Sequence, residues 1–146
     1  MTSAEAWRPI GVLARETGVK VPTIRFYEEI GLMPEARRTE GAWRLYDESA
    51  RQRLDFIKHS RDLGFSVDDI RALLRMSSDP ENPCADAETI ANAQLQTVER
   101  KIAQLEALRT ELQKITAACD GGRIAECRVI EALAERRFCG NAHLEA

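Results

Sequence analysis

At 146 residues, with 44% hydrophobic and 31% charged residues, the chain has the make-up of an ordinary folded protein, and no stretch approaches the ~20 apolar residues of a membrane span. A net charge of −3 would argue against nucleic acid if it were even, but residues 1–78 hold 13 Lys and Arg against 12 Asp and Glu, while residues 79–146 hold 8 against 12. Met1 to Ile10 has no apolar run, so no secretory leader is expected. That favours the cytoplasm, where the four cysteines read as metal-binding or redox-sensing thiols rather than disulfides.

The first predicted element is a short helix over 10–17, followed by a turn at Gly18 and a second helix opened by Pro22, where a missing N–H is harmless. Ala14, Gly18 and Ile24 supply a small contact residue, a turn glycine and an apolar anchor, the requirements of a helix-turn-helix. Gly31 and Pro34 end the second helix. Residues 37–46 alternate around a Gly turn and predict a two-stranded wing. A helix over 47–62 offers Leu54, Phe56, Ile57 and, just beyond it, Leu63 to a core. Ser66, with Asp69 three residues on, caps a further helix whose apolar face is Val67, Ile70, Leu73 and Leu74. Residues 77–83, with two prolines, form a linker.

A long helix then runs from about 85 to 118. Ala91, Leu95, Val98, Ile102, Leu105, Leu108 or Arg109, Leu112, Ile115 and Cys119 recur in mostly alternating steps of four and three, a coiled-coil seam that needs a partner. Asp120-Gly121-Gly122 forces a turn, and a last short helix over 127–136 offers Val129, Ile130, Leu133 and Ala134 to the long helix. The expected architecture is mainly α: a winged helix-turn-helix domain over 1–78, a linker and dimerisation helix over 79–118, and a loop, short helix and tail over 119–146.

Cys84 and Cys119 stand 35 residues apart, at the two ends of the long helix, and Cys127 follows eight residues later. Along one helix rising ~1.5 Å per residue the first two would be roughly 50 Å apart. In an antiparallel pair centred on Ile102, Cys84 lies level with position 120 of the other subunit, beside Cys119. Three thiols then converge at a subunit boundary. They would suit Zn²⁺, Cd²⁺ or Pb²⁺, with Hg²⁺ ranked after them, one ion per site and two sites per dimer. Three thiolates on a divalent ion leave one negative charge, which backbone N–H groups or a cation should offset. Cys139 and His143 are four residues apart and could add ligands. A parallel pair would set Cys84 against Cys84 and build no such cluster.

Other chemistries fare worse. An iron–sulfur cluster would favour four closely spaced cysteines. With two His in all, neither patterned beside a Cys, no nucleophile pair supports an enzyme. In the first domain Arg25 lies on the second helix, where an Arg can fork onto a guanine edge or meet phosphate. Lys20 and Thr23 could reach phosphate from that helix's N-terminus. Arg37, Arg38, Arg44 and Tyr46 belong to the wing, whose contacts position more than they specify. Phe26 and Trp43 read as packing residues, Arg51 and Arg53 as local salt-bridge partners, and His59 as structural or close to DNA.

Thr23-Ile24-Arg25-Phe26-Tyr27-Glu28-Glu29-Ile30-Gly31-Leu32, with Ile10-Gly11-Val12-Leu13-Ala14-Arg15, Arg44-Leu45-Tyr46, Phe56-Ile57 and Gly64-Phe65-Ser66, resembles the MerR family of bacterial transcription regulators over Pro9 to Leu133. The resemblance implies that Arg25 and Tyr27 contact DNA and supports Arg44 and Tyr46 in the same role. It implies a homodimer on a palindromic operator, working with RNA polymerase. The apo dimer would hold the promoter repressed, and the metal-bound dimer would bend and untwist it to switch on export or resistance genes. Cys84, Cys119 and Cys127 look like the divalent-metal branch, in which the first Cys comes from one subunit and the other two from its partner. Gly41-Ala42 stands where Asn-Gly is usual, the eight-residue step is shared with copper sensors, and Arg128 follows Cys127 where many members have Pro. A Cu⁺-sensing or redox-sensing regulator of the same fold is therefore the alternative.

Overall fold

A computed structural model describes residues 6–41, 43–119 and 121–135. Its elements are β1 (Arg8–Pro9), α1 (Ile10–Thr17), α2 (Val21–Glu29), β2 (Arg37–Arg38), β3 (Arg44–Tyr46), α3 (Glu48–Asp62), α4 (Val67–Ser77), α5 (Ala85–Ala117), a 3₁₀ turn (Ile124–Glu126) and α6 (Arg128–Ala134). The chain divides into two units, residues 1–90 and 91–146.

In the first unit local chemistry sets each boundary. Gly18, at φ +71°, takes the left-handed conformation that closes α1, and its N–H donates to the Ala14 carbonyl at 2.9 Å. Lys20 is the N-cap of α2, with Pro22 in the first turn. Asp47 caps α3 by accepting from the Ala50 N–H at 2.8 Å, and Ser66 caps α4 by accepting from Asp69 at 3.1 Å. Arg51, with Arg8, holds the half-exposed Glu48 carboxyl down at about 2. The sheet has three strands, antiparallel in the order β1-β3-β2, pairing Arg8 with Tyr46 and Arg38 with Arg44. The sequence predicts β2 and β3. It misses β1, a two-residue strand too short to show a period.

The core lies where α1, α2, α3 and α4 meet the sheet: Leu13, Ile24, Leu32, Leu54, Ile57 and Ile70 are wholly buried, each contributing ~1.5–3 kcal/mol of burial. Phe56 and Leu63, expected beside them, are 37% and 66% exposed because Leu54 and Ile57 already fill the inward face of α3. Two guanidiniums grip the end of α2: Arg71 donates to the Ile30 carbonyl at 2.8 Å and Arg53 to the Leu32 carbonyl at 2.7 Å. They satisfy the carbonyl of the α2 C-cap and one in the turn that follows it.

The second unit holds residues 91–117 of α5 together with α6. No residue of α5 is buried in the single chain, and Leu95, Ile102, Leu105 and Leu112 stand 54%, 49%, 65% and 59% exposed. The 3₁₀ turn precedes α6, and Gly121 and Gly122, at φ +79° and +127°, carry the chain through the bend. Ala132 is the buried residue of α6, with Ile115 of α5 and Ala118 just past its end lining the same small cavity. Ile130 and Leu133, expected to pack on α5, are 49% and 67% exposed. A seven-residue helix turns only a narrow face inward, and Ala132 occupies it. Among the described residues, no helix is long and apolar enough to cross a membrane.

Candidate nucleic-acid interface and metal centre

The first unit presents a cationic groove, lined by Pro9 of β1, Ile10 to Val12 and Arg15 of α1, Arg25 of α2, and Arg38, Trp43 and Arg44 of the wing. Arg25 is exposed, as are Arg37 and Arg38, and Arg44 is partly covered. Lys20 is exposed and Thr23 half-buried at the start of α2. Arg37 lies over the Trp7 ring at 5.3 Å, a cation–π contact that ties β2 to the N-terminal segment. Thr39 and Trp43 close the wing turn through a backbone bond of 3.0 Å, while Ala42 lies outside the described residues.

The two tyrosines that the resemblance implies as DNA contacts are largely buried. Tyr27 is 7% exposed and Tyr46 2%. On α2 the buried residues are Ile24 and Tyr27, three apart on one face. Phe26, one position off that face, is 48% exposed rather than packed. Trp43, expected as packing, is 71% exposed beside the arginines. The Tyr46 hydroxyl donates to the Glu28 carboxylate, and the Arg44 guanidinium meets the other oxygen of Glu28 at 3.3 Å. Burial, then the bond to Glu28, pushes the Tyr46 phenol well above its usual range. Arg51 bridges Glu48 and Asp55 as expected, but Arg53 makes its bond to a carbonyl instead. His59 is exposed. Glu28 and Arg15 escaped the sequence reading. Glu28 is three residues from Arg25, but nothing local shows that it faces the wing.

The cysteines divide between the units. Cys84 is exposed just before α5, and its carbonyl accepts from the Glu88 N–H at 2.9 Å. In the second unit Cys119 and Cys127 come within hydrogen-bonding reach of one another. The N–H groups of Ile130, first, and Val129 donate to the Cys127 sulfur, and with Cys119 they hold its thiol below the usual range. A thiolate is the metal-ligating form, and those N–H groups are the charge compensation that a polythiolate site needs. Among the described residues no three His, Cys, Asp or Glu gather into a metal-sized cluster. Cys119 and Cys127 are a pair of thiols whose donor chemistry suits a soft or borderline ion. Cys139 and His143 lie outside the described residues.

Residues 8–77 match the MerR HTH family of regulatory proteins, and residues 51–115 match the MerR DNA-binding family. The HTH-type transcriptional regulator ZntR of Escherichia coli (strain K12) is 44% identical over 127 residues, covering 85% of this chain and 90% of that protein. The chain belongs to the MerR family. Heavy metal-dependent transcription regulator 2 of Rhizobium meliloti (strain 1021) is 35% identical over 86% of this MerR-family chain and 85% of its own length. Among solved structures, the transcription regulator PbrR691 of Ralstonia metallidurans CH34, in complex with lead(II), matches with a TM-score of 0.74 and 38% identity, over 86% of this chain and 98% of that one. These relatives are transcription regulators by name, and their family is a helix-turn-helix one.

Proposed function

We propose that this metal-responsive MerR-family regulator is a homodimer that takes a divalent ion, Zn²⁺, Cd²⁺ or Pb²⁺ ahead of Hg²⁺, between Cys84 of one subunit and Cys119 and Cys127 of the other. The paired Cys119 and Cys127 sulfurs, with the Cys127 thiol held below its usual range by backbone N–H groups, carry the reading. Cys84 is the third donor because the exposed α5 seam calls for a second copy, and a pair centred on Ile102 sets Cys84 beside Cys119. The heavy-metal naming of relatives and the lead complex of PbrR691 support a divalent ion. The ion supplies a cross-link between subunits, and it acts through its differential affinity for the two states of the dimer.

The heads bind a palindromic operator in double-stranded promoter DNA. Arg25 reads or braces the major groove. Lys20 and Thr23 meet phosphate at the start of α2, and Arg37, Arg38 and Arg44 meet the flanking backbone. Tyr27 and Tyr46 shape the face from beneath. The metal-bound dimer bends and untwists the promoter so that RNA polymerase reads it, switching on resistance or efflux genes. The protein is cytoplasmic and performs no catalysis.

A second reading has its own support. Cys119 and Cys127 meet without Cys84, as a two-coordinate Cu⁺ site or a redox pair would require. Run-off transcription from the regulator's own promoter region, titrated separately with Zn²⁺, Cd²⁺, Pb²⁺, Hg²⁺ and Cu⁺, separates the two. Activation by a divalent ion and its loss in Cys84→Ser is the expected result. Activation by Cu⁺ alone, untouched by Cys84→Ser, would establish the copper reading instead. Silence with every ion would point to a redox signal or a structural metal.

A further inference from the structure

The face that would meet DNA contains a carboxylate. Glu28 projects from α2 into a pocket walled by Arg25, Glu29, Glu35, Arg38 and Arg44, and its side chain is 10% exposed. A negative charge there opposes phosphate, so in purely electrostatic terms it weakens binding. Its two oxygens are engaged separately. One accepts from the Tyr46 hydroxyl and the other meets Arg44 at 3.3 Å, both partners being residues of β3. Tyr46 is fixed in the core at 2% exposure, so the carboxylate is anchored from beneath and in turn anchors a partly exposed guanidinium from the side.

We propose that Glu28 is a positioning residue for DNA recognition: it locks wing strand β3 to the reading helix α2 and holds Arg44 in one place, giving up affinity for DNA in general to gain discrimination between sequences. The proposal rests on the DNA-binding reading of this face. A long, free guanidinium follows the phosphates of any duplex. One held by a charge-assisted bond meets a phosphate only where the register of α2 in its groove puts one. Neutral loops contribute no such grip, and among the described residues no other acidic side chain bonds across from α2 to the wing.

Glu28→Gln keeps an acceptor for the Tyr46 hydroxyl and removes the charge that holds Arg44. Wild type and variant would be titrated with two duplexes by fluorescence anisotropy: one enriched from a random pool by the wild-type dimer, and a scramble of the same composition. The variant should bind the scramble more tightly, with a salt slope steeper by about one as Arg44 becomes available to phosphate. The ratio of enriched to scrambled affinity should fall about fivefold to tenfold, the span of one charge-assisted bond exchanged for a neutral one. In an Arg44→Ala background the same substitution should leave the ratio unmoved. Equal tightening on both duplexes would reduce Glu28 to a plain repulsive charge and overturn the proposal. So would equal weakening with a lowered melting temperature, which would make the residue merely structural. If the wild-type dimer enriches no sequence at all, the DNA-binding reading itself falls.

Discussion

The two units of this chain solve opposite problems. The first closes on itself: six side chains reach zero exposure, its strands pair, and its helix ends are capped by Gly18, Asp47 and Ser66. The second exposes its apolar residues. In α5 no residue is buried, and four of its seam residues stand at about half exposure or more. A unit that buries its own apolar surface has its stability written in one chain. A unit that does not has written there only half of an interface, and whatever is built on that interface belongs to the assembly. The cysteines follow the same division: Cys119 and Cys127 pair within the second unit, and Cys84 belongs to the first.

The sharpest way to break this contrast is Ile102→Asp. A charge at the centre of the seam should convert the dimer to monomers, seen by sedimentation equilibrium, and abolish the metal response. The melting of the first unit should change little. If the first unit unfolds with it, the two units are one cooperative body and the contrast is false.

Leu54→Ala does the reverse. It opens a cavity in the first unit and should remove ~2–5 kcal/mol of stability in a denaturant titration, with no change in dimer affinity. Ser66→Ala removes the side-chain acceptor at the start of α4 and should lower stability by ~1 kcal/mol, measured in the same way.

The smallest effect concerns Cys127. Its lowered thiol pKa means that the thiolate persists as pH falls below the ordinary thiol value of ~8.5. Folding therefore gains from this group above that value, and the gain is lost as pH drops through the depressed folded value. Peptide-resolved iodoacetamide labelling should show Cys127 half-reactive at a pH below that of a free thiol. Cys119→Ala, which removes the side-chain donor, should move the midpoint part of the way back up. An unshifted midpoint would mean that the N–H groups of Ile130 and Val129 do not reach the sulfur in solution.

The same division governs what could be read from sequence. Elements whose boundaries are local chemistry were legible: Pro22, Gly18, Ser66 and the seam of α5 each announce themselves within a few residues. What was illegible depended on distant partners. Strand β1 exists because Tyr46 and Leu45 offer it a register, and two residues carry no period of their own. Phe26 and Tyr27 are adjacent aromatics, and only the spacing of Tyr27 from Ile24 separates core from surface. The Glu28 contacts to Tyr46 and Arg44 span 18 and 16 residues, beyond any window in which a motif would show. Of the candidate metal ligands, the three cysteines stood out by their spacing, but the backbone N–H groups that lower the Cys127 thiol pKa depend on where α6 begins.

The chain has two tryptophans, and both lie in the first unit, beside the wing. Trp7 sits under the Arg37 guanidinium, and Trp43 stands 71% exposed on the groove lined by Arg15, Arg25, Arg38 and Arg44. The protein therefore carries its own optical channel. Its ultraviolet emission reports what happens at the wing, and the sensor end contributes no indole to that signal. A metal-induced change in that emission would be a response of the wing itself, recorded without a label.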